Sequence, residues 1–150
     1  TARDLLDWLS RHTDVILITD FKSGNVDGLE TLAWMAQDYP NLQSRIYPQI
    51  YHQEEYWPVR GLGYRNIIYT LYAEHYDIRR DAAGITAFAQ SHPLAAVTVP
   101  MAIVDQQGQS YVDTINEADI PLYIHTVNGI QDIRKYQAMG IYGVYTDYPR

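Results

Sequence analysis

Residues 121–149 read PLYIHTVNGIQDIRKYQAMGIYGVYTDYP, and this stretch decides the architecture. Positions 121–127 have the composition of a short strand, and 130–139 the spacing of a helix. Gly140 falls where a helix closes through a left-handed residue, and 142–146 reads as a second strand. Strand, helix and strand in direct succession form the unit of a parallel sheet with right-handed crossovers.

Outward from this unit the alternation continues. Leu5, Leu6, Trp8 and Leu9 recur at helical spacing over 2–11, and a β-branched run at 15–19 reads as a buried strand. Residues 25–39 read as a helix with Leu29, Leu32, Ala33 and Ala36 on one face, stopped by Pro40. A strand at 45–51 carries Pro48, which cannot donate to a ladder. A short helix at 53–62, a strand at 66–72 and a helix at 81–91 with Asp81 as its N-cap follow. A strand at 95–99 and a helix at 111–118 complete six strands and six helices. A doubly wound sheet normally carries G-x-G-x-x-G in its first turn, and none occurs. The expected fold class is therefore α/β, an incomplete TIM (β/α)8 barrel holding about the last six strands with their helices, as a single domain over 1–150. A full barrel takes about 250 residues, so two strands are expected upstream. The chain opens at Thr1 inside an amphipathic pattern, which reads as a processed or clipped start.

Composition removes several functions. The 150 residues are 47% hydrophobic, enough for a real core. Eighteen acidic against eleven basic residues give a net charge of -7, with no Lys/Arg run to follow a phosphate backbone, so no nucleic-acid partner is expected. No stretch approaches the roughly 18 apolar residues of a membrane span. With no Cys, disulfides, thiolate metal sites and a cysteine nucleophile are excluded. Tyr is abundant at 14 residues, a ring for packing joined to a hydroxyl for water or ligand.

In a barrel the chemistry lies at the C-terminal ends of the strands. The first predicted strand ends Thr19-Asp20-Phe21-Lys22, which puts Asp20 and Lys22 on one face. A carboxylate and an ammonium there suit a divalent cation and a phosphate oxygen; a strand-end salt bridge is the plainer alternative. Gln49, Thr70 and Tyr72 reach the same end from the next strands, and His125 and Asp147 from the last two. For His125 the plainer alternative is a hydrogen-bonded structural group, and for Asp147 a cap on backbone amides. His52 also follows a strand, whereas His12, His75 and His92 read as solvated. No HExxH, G-x-S-x-G or P-loop occurs.

Taken together these pieces resemble the glycerophosphodiester phosphodiesterase family. Asp20-Phe21-Lys22 resembles its E-x-K element, Ile124-His125-Thr126-Val127-Asn128 its W-T-V-N element, and 140–149 its closing G-V-D-G-I-x-T-D-x-P element. The resemblance implies a phospholipase-C-like barrel that hydrolyses glycerophosphodiesters to an alcohol and glycerol 3-phosphate with a divalent cation, Ca²⁺ or Mg²⁺. It implies Asp20 as the third carboxylate of the metal site, Lys22 on the phosphate, and Gln49 and His125 on the substrate. Two departures are visible, Asp20 for Glu and His125 for Trp. The family's first strands bring an H-R pair, an E-x-D pair and a second His, and nothing here matches them.

The catalytic acid and base are accordingly expected outside this chain, which alone is expected to be inactive. The implied partner is a small-molecule glycerophosphodiester, and membrane association would come through a segment upstream of Thr1. Metal choice, oligomeric state and compartment are not read from the sequence. Two other readings stand beside this one: a phospholipase or sphingomyelinase-D-like phosphodiesterase, and a catalytically inactive barrel module that binds a ligand or partner.

Overall fold

A computed structural model describes residues 1–148. Pro149, which ends the closing motif, lies outside the described residues. The strands are short and all parallel. They are β1 (Leu17–Ile18), β2 (Ile46–Tyr47), β3 (Gln49–Ile50), β4 (Ile68–Thr70), β5 (Ala96–Pro100), β6 (Leu122–His125) and β7 (Gly143–Val144). β2 pairs with β1, while β3, β4, β5, β6 and β7 pair in that order.

Residues 46–50 act as one strand that serves a neighbour on each side of Pro48. Thr19 N donates to Tyr47 O (3.2 Å), and Ile68 N donates to Pro48 O (2.9 Å). The proline has a carbonyl to give but no N–H, so it marks the point where pairing passes from β1 to β4. Six strands in sequential order are what the alternation predicts, and the α/β fold with a partial barrel is borne out.

The helices are α1 (Ala2–Arg11), α2 (Asn25–Ala36), α3 (Tyr56–Gly61), α4 (Ala82–Ser91), α5 (Met101–Gln107), α6 (Gln109–Asn116) and α7 (Ile130–Ala138). Asp81 caps α4 by accepting from Gly84 N (3.0 Å), and Gly140 takes the left-handed conformation after α7 (φ 93°). The expected helix over 111–118 is corrected to a pair. α5 starts directly from β5 at Pro100, and Gly108, at φ 75°, separates it from α6.

Period-two alternation sorts each strand into two faces. Ile50, Tyr69, Leu71, Val97, Val99, Leu122 and Ile124 are buried against the helices in one contiguous core. The other face looks along the barrel axis and changes character from bottom to top. Ile16, Ile18, Tyr47, Ile68, Ala96 and Tyr123 line an apolar cavity of about 190 Å³. Toward the C-terminal ends come Asp20, Gln49, Thr70 and His125. The buried strand expected over 15–19 is corrected: β1 is only Leu17–Ile18, with Leu17 half-buried and axis-facing Ile16 and Ile18 52% and 44% exposed, because no neighbour among the described residues covers that side of it. No helix among the described residues is long and apolar enough to cross a membrane.

Candidate functional site

The axis-facing polar residues meet in a cleft of about 300 Å³ lined by Asp20, Lys22, Gln49, Thr70, Tyr72, His125, Thr126 and Tyr145. All four residues singled out from the sequence as site candidates, Asp20, Lys22, Gln49 and His125, are thus brought to one place.

Asp20 is its charged centre. Lys22 Nζ donates to Asp20 Oδ2 (2.5 Å), while the hydroxyls of Tyr51 (2.5 Å) and Tyr72 (3.3 Å) donate to Oδ1. Partial burial pushes the Asp20 pKa up, but hydrogen bonds from Lys22 and Tyr51 outweigh it and hold the carboxyl below its ordinary value of 3.8. The hydrogen bond to Asp20 likewise raises Lys22, so both remain ionised at neutral pH. An ammonium has three protons. One goes to Asp20 and one to Tyr72 OH (3.4 Å), which leaves a third for an incoming oxygen anion. Desolvation, and then the hydrogen bond to Asp20, push Tyr51 far above the ordinary phenol range, so it stays protonated and donates to Asp20.

The opposite wall has unanswered polar atoms. His125 Nε2 and Tyr145 OH are out of contact with solvent and have no hydrogen-bond partner. Each such group costs about 1–3 kcal/mol if nothing answers it, which suits a wall that meets a polar ligand. Burial pushes Tyr145 up to about 12. Burial also lowers His125 below its ordinary value of 6.5, against the pull of the Asp20 charge, so the imidazole is neutral at pH 7. Gln49 is more structural than expected. It is buried and its amide nitrogen donates to Thr19 O (2.8 Å), fixing the end of β1.

The two closing motifs hold one another. Asn128 Oδ1 accepts from Asp147 N (3.0 Å) and Thr146 Oγ1 (3.1 Å), while its amide donates to Asp147 Oδ2 (2.9 Å). The carboxylate of Asp147 is therefore engaged by Asn128, and Tyr148 N is met by Thr146 Oγ1 (3.2 Å).

Sequence reasoning missed Tyr51 and Tyr145. Tyr145 directly follows β7, and the parallel β6–β7 register carries it to the level of His125, a pairing that alternation of elements alone does not supply. His12 and His92 are not simply solvated: the first stacks on Trp8 and the second on Phe88, with ring centroids 3.9 and 4.2 Å apart.

The His125 shift has a stability consequence. Its pKa is lower in the folded than in the unfolded chain, so below pH 6.5 the unfolded state takes up a proton that the native state refuses. Stability is full above pH 6.5 and falls as pH drops through that value. Asp20 and Glu74 are also lowered, but they act from about pH 4.5 downward. Urea midpoints should therefore decrease between pH 7 and pH 5, and His125→Gln should flatten that slope.

Parallel strands in sequential order, with polar side chains gathered at their C-terminal ends, define a barrel of the TIM type. Among solved structures, a protein described as a glycerophosphoryl diester phosphodiesterase from Silicibacter pomeroyi DSS-3 superposes over 98% of this chain (TM-score 0.74, 17% identity). A glycerophosphodiester phosphodiesterase from Parabacteroides distasonis ATCC 8503 matches over 97% (TM-score 0.68, 14% identity). An EAL domain protein from Listeria monocytogenes EGD-e matches over 98% (TM-score 0.65, 10% identity). The expected resemblance is borne out as a likeness of fold. The chain spans 52%, 60% and 64% of those three proteins respectively. No family model matches the sequence, and no curated protein matches it.

Proposed function

We propose that this chain is the C-terminal part of a glycerophosphodiester phosphodiesterase barrel and carries the phosphate-binding side of its active site. The observation that supports this most is the Lys22–Asp20 pair, steadied by two tyrosine hydroxyls, facing a wall with two buried, unanswered polar atoms. Half-exposed Ile16 and Ile18 on the axis side of β1 agree with further strands covering them.

In this reading water adds to phosphorus, the bond from phosphorus to the alcohol oxygen breaks, and the alcohol leaves with a proton. Glycerol 3-phosphate remains. Lys22 holds a non-bridging phosphate oxygen with its third N–H, and its charge meets the negative charge that grows there. Asp20, Tyr51 and Tyr72 aim Lys22. His125 and Tyr145 border the glycerol or alcohol portion, His125 giving a smaller wall than the tryptophan of the resemblance.

A hard cation such as Ca²⁺ or Mg²⁺ takes six or more oxygen ligands. Among the described residues Asp20 is the one carboxylate that lines the cleft, and both its oxygens already accept hydrogen bonds. These residues do not hold such an ion by themselves, so no step is assigned to it here; Asp20 would serve as one ligand among carboxylates from the preceding strands. His125 is likewise the one imidazole lining the cleft among the described residues. That favours a second reading for the isolated chain, which binds a phosphate ester without turning it over.

The full-length protein should release glycerol 3-phosphate from glycerophosphocholine in a divalent-metal-dependent reaction. The 150-residue chain should bind glycerol 3-phosphate calorimetrically and release none. Undiminished turnover in EDTA would sink the metal-dependent reading. Faster turnover of an intact lysolipid would move the activity to the lipid-directed class.

A further inference from the structure

The loops that carry the cleft tyrosines also carry a second cluster. His52 follows β3, and Glu74 and His75 follow β4, so two adjacent parallel strands deliver them to one region of the C-terminal rim. None of the three lines the cleft.

His52 Nδ1 lies 3.1 Å from Glu74 Oε1, and one ligating atom from each of His52, Glu74 and His75 falls within 4.8 Å of the other two. Ligands 2.0–2.2 Å from a tetrahedral ion stand about 3.3 Å apart, close to the His52–Glu74 separation already present. Two imidazoles on one such ion place their ring centroids roughly 5 Å apart. Those of His52 and His75 are 5.7 Å apart.

The support around the cluster has the form that metal ligands require. The Glu74 side chain is only 2% exposed, and its other oxygen accepts from Tyr69 OH (2.7 Å), itself fully buried. Glu55 Oε2 accepts from the backbone N–H groups of Tyr51 (2.6 Å) and His52 (3.3 Å), which fixes the turn that presents His52. The backbone N–H of His75 donates to Glu74 Oε1 (2.9 Å), so the third ligand is tethered while its ring stays open to solvent. A carboxylate buried merely to tie a loop needs donors such as Tyr69 and the His75 amide. It does not need two converging imidazoles.

We infer that His52, Glu74 and His75 form a three-ligand site for a borderline divalent transition metal, zinc above all, with the fourth position left to water or an external ligand. Two nitrogen donors and one carboxylate match Zn²⁺ and not Ca²⁺ or Mg²⁺, which ask for oxygen. The ion would join the β3 and β4 loops. Those loops contribute Tyr51, beside His52, and Tyr72, two residues before Glu74, and both tyrosines hold Asp20. The site is thus a staple beside the cleft rather than part of it.

The test uses the metal-stripped chain titrated with Co²⁺ and Zn²⁺. One equivalent of Co²⁺ should bind with the intense visible absorption of a tetrahedral centre, and Zn²⁺ should displace it. Millimolar Ca²⁺ or Mg²⁺ should not. His75→Ala, at an exposed side chain that the fold does not need, should abolish the absorption and the rise in melting temperature given by Zn²⁺. Tyr69→Phe should weaken affinity by about 10–100-fold through the lost hydrogen bond to the ligating carboxylate. Asp20→Ala should change neither, which separates this site from the phosphodiesterase reading. Binding that survives both His52→Ala and His75→Ala, or displacement of Co²⁺ by Ca²⁺ or Mg²⁺, would overturn the inference.

Discussion

Lys22→Ala in the phosphodiesterase proposed above is expected to lower kcat/KM for glycerophosphocholine by about 10²–10³-fold, the usual result of removing one preorganised donor from a growing oxyanion. The side chain is 74% exposed, and an exposed ion pair in isolation contributes little to stability. That exposure makes the variant informative. If Lys22 and Asp20 only close a strand end, alanine should change neither folding nor ligand affinity. If Lys22 waits for a phosphate, folding should be unchanged while glycerol 3-phosphate binding by the chain falls with the activity of the whole protein. Lys22→Arg keeps the charge but brings a planar fork where a compact ammonium fits between Asp20 Oδ2 and Tyr72 OH, so it should recover only part of the loss. Asp20→Asn separates holding from charge. The amide cannot neutralise Lys22, and activity should fall even if the cleft keeps its shape.

Much of the fold was legible because parallel strands wrapped by helices leave a strong pattern. β-branched runs such as 15–19 and 95–99 alternate with apolar stripes at helical spacing, and pairing of each strand with the next in sequence follows from that alternation. Where reading failed, the signal lay in three dimensions. α5 begins directly from β5 at Pro100 with no polar loop to announce it, and its composition resembles the strand before it. Asp20, Lys22 and His125 were legible because strand ends in a barrel share one mouth. Tyr51 and Tyr145 looked like ordinary strand aromatics, since nothing local distinguishes a phenol that meets a carboxylate from one that meets the core. Glu74 and His75 carried even less signal. A glutamate beside a histidine in a polar loop reads as solvated, and its burial goes with Tyr69, on the strand β4 that leads into that loop, reaching it with a hydroxyl.

Arg45 shows how the scaffold positions the site from its far end, and its replacement should give the largest loss of stability among the polar changes considered. Its Nη2 donates to Leu9 O (2.7 Å), and its Nη1 to His12 O (2.8 Å) and Val15 O (3.0 Å). These carbonyls run from the last turn of α1 into the approach to β1; Leu9 O and His12 O also accept from the backbone N–H groups of His12 (3.2 Å) and Val15 (3.3 Å), and Arg45 meets their remaining lone pairs where the helix dipole favours a cation. Arg45 also immediately precedes β2, the partner of β1, so one guanidinium joins the end of α1 to the first strand pair. A hydrogen bond from a charged donor contributes about 1.5–3 kcal/mol, and partial exposure lets water answer some of these carbonyls once the side chain is gone. Arg45→Ala should therefore cost about 2–3 kcal/mol, roughly 5–10 °C in Tm for a chain of this size. Arg45→Lys keeps the charge but not the fork and should recover less than half. Urea unfolding of the three proteins measures this directly; a loss under about 0.5 kcal/mol would mean that solvent serves these carbonyls as well as Arg45 does. Because β1 carries Asp20 and Lys22 at its other end, ligand affinity at low temperature should stay near normal in Arg45→Ala and fall with the onset of unfolding, whereas Lys22→Ala loses affinity at every temperature.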